Sequence, residues 1–321
     1  MRRFTIEALH VHDLYMMGAG EHIRQHCGLP VILDLHENYV AALKAYAWLK
    51  PGWMRLLTTV RQWEKLEERY LSSAQQILVL SDYFKAQLQT RYCGRLPDIN
   101  VYPNVPDVDE LLTYPINAQI YPKNNQFVLL YFGVIAERRG VFTCLEAVQK
   151  LIPRIPELRL LLIGRIDKRD RRRLRDLMTQ PDLGKHVTHI PWIDVSQLPS
   201  WLAVSDVCLS PIIKNDQHES GVANKVFQYM LFAKPVIVSD CRPQQEIIVN
   251  EQCGLVFESQ DAARLAESVM RLFNSPEMRH QMGMNGRQAV IHRYNQRVAS
   301  QTLIHLYDQL PIGNNQRNAA C

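Results

Sequence analysis

Glu219, Ser220 and Gly221 stand just ahead of the run Asn224 to Ala233, where apolar residues recur at helical spacing and Lys225 and Gln228 form a polar stripe. A helix start built from small residues leaves backbone amides open to an anion, and the helix dipole favours negative charge there. The amides of Ser220, Gly221 and Val222 are therefore read as phosphate binders and Glu219 as an acceptor for sugar hydroxyls. Gln228 follows roughly 10 Å further along at ~1.5 Å per residue, a reach that suits a ribose. The plainer alternative makes Glu219 a partner of the helix dipole and Gln228 a surface residue.

A second constellation is GVIAERRG, residues 133–140. Gly133 and Gly140 let the chain turn after a strand, and Arg138 and Arg139 stand beside a helix start. Arginine at that position can clamp a diphosphate in bidentate fashion; the competing reading is a solvated basic helix start. In an open parallel sheet ligands bind beyond the carboxyl ends of the strands, and Gly133, Gly164, Pro211 and Asp240 are all expected there.

Histidines supply the third. His36 closes the strand-like PVILDLH, and Glu37 follows it. His10, His12 and Asp13 form H-x-H-D, and His22 and His26 are spaced i, i+4; either set can begin a metal site. A metal-dependent hydrolase is thus a second enzyme class. No later Asp/His set sits at matching strand ends, so no metal is assigned.

The elements that must hold these residues alternate between strand and helix. TIEALHVHD, PVILDLH, QQILVLS and INVYPN read as strands in the first part; FVLLYFG, LRLLLIGRI, VTHIPWI, DVCLSP, KPVIVSD and GLVFES follow in the second. Near-continuous apolar runs such as FVLLYF indicate strands buried on both faces, the mark of a parallel sheet covered by helices. Between them VFTCLEAVQKLI places Val141, Leu145, Val148 and Ile152 on one side, and Asp261 is a natural N-cap for DAARLAESVMRLF. The reading is α/β, with two Rossmann-like domains: residues 1–115 with four strands, 116–295 with six, and a helix and tail at 296–321 expected to return to the first domain. The Pro- and Asn-rich stretch at 104–126 reads as the linker. Four strands are few for such a domain, so the first is expected to be incomplete at its start, with an exposed sheet edge.

Composition sets bounds. The 321 residues are 47% hydrophobic and 21% charged, with a net charge of +5. That balance suits an anionic small ligand or membrane surface and is too weak for nucleic acid. Seven scattered cysteines without a C-x-x-C read as reduced and buried in a cytoplasmic protein. KAYAWLKPGWMRLLTTVRQWEKLEERY, from Lys44 to Tyr70, mixes aromatic and basic residues that fit the anionic inner face of a plasma membrane; a packed helical pair is the alternative. KRDRRRLRD reads as a solvated helix face.

Taken in order, YFGVIAERRGVFTCLEAV, LRLLLIGR, LPSWLAVSDVCLSP, NKVFQYMLFAKPVIVSD and CGLVF resemble the nucleotide-sugar-binding half of a family 4 glycosyltransferase of GT-B fold. HVHDLY, PVILDLHENY, ILVLSDYFKAQL and INVYPNVPD are similar to the later part of that family's acceptor domain. The resemblance implies two Rossmann-like domains facing a cleft, and retaining transfer from a UDP-sugar or GDP-sugar to a glycan or lipid-linked acceptor without cofactor or metal. It implies donor contacts at Gly133, Arg138, Arg139, Gly164, Ser220, Gly221, Val222, Asn224, Lys225 and Gln228, with His36 and Glu219 at the reacting sugar. The sequence departs from the family at Val134, where an arginine is usual, and at Gln228 and Ser220, where the glutamates of an E-x7-E pair are expected. Those departures also fit an inactive relative that only binds a nucleotide or a partner.

Overall fold

The structure, a computed structural model, describes residues 6–46 and 60–311. Among these residues ten strands lie within the ten runs named above and form two wholly parallel sheets. The chain divides into two compact units: Met1–Asn104 with Asn215–Val222 and Ala299–Cys321, and Val105–Lys214 with Ala223–Val298.

The first unit carries β1 (Leu9–His12), β2 (Val31–Leu35), β3 (Gln76–Val79) and β4 (Ile99–Val101), paired in sequence order. All five residues of β2 are buried, as an inner parallel strand requires. Helical crossovers join the strands, because a parallel pair cannot be closed by a tight turn. The helix Met17–Cys27 ends at Gly28, whose φ of 67° is the left-handed cap that glycine adopts without strain. Ser81 caps the helix Asp82–Arg91 by accepting from the Phe84 amide. One face of the sheet buries Leu33, Leu35 and Val79 against Leu71 and Phe84; on the other, Ile32 and Leu78 pack on Leu306 and Leu310.

In the second unit β5 (Phe127–Phe132), β6 (Leu158–Ile163), β7 (Val187–Ile190), β8 (Val207–Ser210), β9 (Val236–Ser239) and β10 (Gly254–Phe257) are ordered β10-β9-β8-β5-β6-β7. This is the doubly wound Rossmann order, in which strand succession reverses between β5 and β8. The helix Val141–Leu151 buries Val141, Leu145 and Val148, the stripe its spacing predicts. Asp261 caps the helix Ala262–Phe273, accepting from Ala263 and Arg264 at 2.9 Å.

One expectation needs correction. Cys144, Cys208, Cys241 and Cys253 are buried thiols outside any disulfide, but Cys93 is exposed and Cys27 only partly covered. Cys93 occupies a turn with φ 49° after a helix end, where no core is available to it. Part of the aromatic-basic stretch, residues 47–59, lies outside the described residues. Within its described part Trp63 packs edge-on against Tyr39, centroids 4.7 Å apart, on the core of the first unit. The basic stretch near residue 171 is a helix, Arg171–Met178, that buries only Leu174.

Candidate active site

In the second unit the carboxyl ends of β5 and β8 flank the point where strand order reverses. Gly133 follows β5 with φ 132°, and Gly164 follows β6 with φ 138°. A Cβ on Gly164 would lie 2.1 Å from the Gly133 carbonyl oxygen, so two loops meet here through bare backbone. Arg138 and Arg139 end a 3-10 turn, Glu137–Arg139, which Gly140 closes at φ 73° before the helix Val141–Leu151 begins. Asp170 accepts from the Glu137 amide at 2.9 Å, and Arg173 donates to the Glu137 carboxylate at 2.8 Å. The turn is thereby fixed from outside, while the Arg138 carbonyl accepts from the Ile213 amide beyond β8 at 3.2 Å.

The helix Asn224–Leu231 brings its polar stripe to the same sheet. Its N-cap is Ala223, without a side-chain cap, and the Asn224 Oδ1 is buried with no hydrogen-bond partner. The Lys225 Nζ lies 3.8 Å over the Tyr131 ring, a cation–π contact at the end of β5. Burial first, and then the charge of Arg139, depress the Lys225 pKa from 10.5 to about 7. Gln228, one turn further on, is partly exposed. Asp240, after β9, accepts from Lys214 at 2.9 Å and from the Ser259 amide at 2.8 Å; burial alone would raise its pKa, and these bonds bring it below the usual value.

The segment Asn215–Val222 belongs to the first unit. Ser81 Oγ donates to the Ser220 carbonyl at 2.9 Å, and Gln217 donates to Glu37 at 2.7 Å. A Cβ on Gly221 would come within 2.6 Å of the Leu80 Cβ. Glu219 and Ser220 are buried in a 3-10 turn, His218–Ser220. The Ser220 amide donates to the Gln217 carbonyl at 3.2 Å, so it already has a partner within that turn. Gly221 is extended, and the helix proper starts three residues after it.

At the carboxyl edge of β1 and β2 the structure assembles a group that sequence reasoning saw only in pieces. The register pairs His12 with Asp34. Period-two alternation places His10 and His12 on one face of β1, and Asp34 and His36 on one face of β2. The buried Asp34 Oδ2 lies 3.3 Å from His10 Nε2, 3.2 Å from His12 Nδ1 and 3.3 Å from His36 Nε2. His12 Nδ1 and His36 Nε2 are 2.9 Å apart. Asp13, with φ 68°, accepts from the His36 amide at 3.3 Å and from Tyr15 at 3.2 Å. His22 and His26 lie apart on the helix Met17–Cys27, where His26 bonds to the His22 carbonyl. The signal that was missed is D-x-H beside H-x-H on neighbouring strands, with Asp34 unnoticed because it sits inside an apolar run.

The fold and this glycine- and arginine-built strand edge define a Rossmann-type α/β protein. The family model described as "Glycosyl transferases group 1" matches residues 115–289, and the chain belongs to that family. Among curated relatives it is 21% identical over 292 residues to the alpha-D-kanosaminyltransferase of Streptomyces kanamyceticus, covering 89% of this chain and 72% of that protein. It is 23% identical over 187 residues to the capsular polysaccharide biosynthesis glycosyltransferase CapM of Staphylococcus aureus, covering 58% of this chain and 47% of that one. Of solved structures, sucrose-phosphate synthase from Thermosynechococcus elongatus superposes with TM-score 0.78 at 23% identity, over 96% of this chain and 74% of the other. Anabaena HepE in complex with UDP gives 0.76 at 14% identity, over 94% and 79%. These likenesses establish the GT-B class of fold, with two Rossmann-like domains.

Proposed function

We propose that the protein transfers a sugar, with retention, from a UDP-sugar or GDP-sugar to a glycan or lipid-linked acceptor in bacterial surface polysaccharide synthesis. The observation that carries this reading is the reversal point between β5 and β8, where Gly133, Gly164, Arg139 and Lys225 gather on one sheet edge. Bare backbone there admits a diphosphate closely, and two cationic side chains meet its charge without a metal. Asn224, with its uncommitted buried oxygen, and Gln228 are polar groups suited to the nucleoside. His36, Glu219 and the amides of Gly221 and Val222, all in the first unit, are polar groups suited to sugar hydroxyls and phosphates. Attachment to an anionic membrane surface from the cytoplasmic side belongs to the same proposal. No helix among the described residues is long and apolar enough to cross a membrane. Flotation with anionic liposomes at low salt tests the attachment; protein that stays at the bottom rules it out.

A thermal-shift panel of UDP, GDP and their sugars, followed by NMR of the product anomer, tests the reaction. Stabilisation by one nucleotide and an axial-to-axial or equatorial-to-equatorial outcome are expected. An inverted product refutes retention, and nucleotide binding without transfer or donor hydrolysis favours the inactive relative. Arg139→Ala is expected to weaken binding of the nucleoside diphosphate by roughly 1.5–3 kcal/mol, the scale of a charge-assisted hydrogen bond. Calorimetry giving unchanged affinity would remove Arg139 from the site.

Lys225 gives this reading a pH signature. Its folded pKa of about 7 lies below the unfolded 10.5, so the unfolded chain holds more protons between those values. This group therefore makes folding more favourable as pH rises through that window. A bound diphosphate favours the charged ammonium and reverses the depression. At pH 8 binding should take up close to one proton, about 0.9 if the ordinary lysine pKa is restored. Calorimetry in buffers of different ionisation enthalpy measures the uptake, and it should vanish in Lys225→Met. Equal uptake in the wild type and that variant would place the diphosphate elsewhere.

A further inference from the structure

We infer that His10, His12 and Asp34, at the carboxyl edge of β1 and β2, form a binding site for a divalent transition-metal ion of the zinc class, with His36 beside it. The inference rests on the first unit alone; His36, assigned above to the transferred sugar, stands beside the ligands and is not one of them.

Asp34 is 2% exposed, and its ion-pair partners among the described residues are the three histidines. Its other oxygen, Oδ1, is buried with no hydrogen-bond partner. A buried carboxylate needs a compensating partner. His10 and His12 stack at 4.6 Å between centroids and 14° between planes, and His12 and His36 stack at 5.1 Å. A single divalent ion gives each nitrogen lone pair and the carboxylate one shared partner.

The donor geometry fits. The ligand atoms of His10, His12 and Asp34 all lie within 4.8 Å of one another. Bonds of about 2.0–2.2 Å to nitrogen and oxygen in a tetrahedron put ligand atoms roughly 3.3–3.5 Å apart. The contacts of 3.2 and 3.3 Å from Asp34 Oδ2 to His12 and His10 match that edge. His12 is 60% exposed and leaves both an entry path and freedom to turn its ring inward. The Tyr307 hydroxyl meets the other nitrogen of His10 at 2.7 Å, the outer contact that orients a ligating imidazole. Imidazole with carboxylate is a set for zinc, cobalt or nickel rather than calcium or magnesium.

The test uses the full chain after dialysis against a chelator. Cobalt(II) is titrated while its visible d–d absorption is read, and zinc is then added in competition. One equivalent per chain is expected, with a band intensity typical of four- or five-coordination and displacement by zinc. His10→Ala and His12→Ala should each weaken uptake by at least about 10-fold, with the far-UV circular dichroism unchanged. His22→Ala/His26→Ala, which removes the other close histidine pair, should leave it intact. Absence of saturable uptake by the wild type would overturn the proposal, as would full uptake by both single variants or loss only in the His22/His26 variant. UDP calorimetry on the same samples keeps this outcome separate from that of the glycosyltransferase reading.

Discussion

Gly140→Val is expected to destabilise the second unit by about 3 kcal/mol or more, or to prevent its folding. Gly140 sits at φ 73°, a conformation that β-branched residues avoid, and a Cβ there would fall 1.7 Å from the Pro211 carbonyl oxygen. The clash is with backbone at the end of β8, so no side-chain rotation relieves it. Two loops flanking the strand-order reversal must then separate, and nucleotide binding should fall with stability. Gly94→Ala is the internal control. Gly94 has a similar φ of 70°, and a Cβ there would meet nothing within 4 Å, so only the backbone cost of about 1–2 kcal/mol remains. Denaturant unfolding compares the two. Equal, small losses would show that the close approach at Pro211 is not a constraint on the fold.

Glu67→Ala should cost about 2–4 kcal/mol, because it leaves two groups without their shared partner. Glu67 is 3% exposed and accepts from the Tyr92 hydroxyl at 2.6 Å and from Arg91 at 3.0 Å. Burial and the neighbouring carboxylate raise the Tyr92 pKa, so the phenol stays protonated and keeps donating. The Arg91 side chain is 40% exposed, and water screens part of its loss. Glu67→Gln retains an acceptor for Tyr92 and should lose clearly less. Urea melts that rank the glutamine variant as the worse of the two would contradict this assignment.

The strands were legible in the sequence because parallel strands covered on both faces must be apolar throughout. FVLLYF and RLLLIG announce β5 and β6, and the Asp261 cap follows from the same local rules. Contacts that depend on register were hidden. Asp34 lies within VILDL and reads as an interruption until β1 pairs with β2 and sets it opposite His12. The sequence places Glu219 to Val222 at a helix mouth because Asn224–Ala233 is so clearly helical. Nothing local reveals that Ser81, Leu80 and Glu37, far off in sequence, hold it. Lys225 stands out as a polar residue on an apolar helix, but its depressed pKa depends on burial and on Arg139, which only folding brings about. Local periodicity specifies elements; the chemistry arises where different elements meet.

The central claim is that a nucleoside diphosphate binds at the reversal point of the second sheet. Hydrogen exchange with and without saturating UDP or GDP tests it most directly. Slower exchange is expected at 133–140 and at the first turn of the helix Asn224–Leu231, with Arg139→Ala losing that protection at the same ligand concentration. Unchanged exchange in both segments, or protection confined to other parts of the chain, would contradict the account.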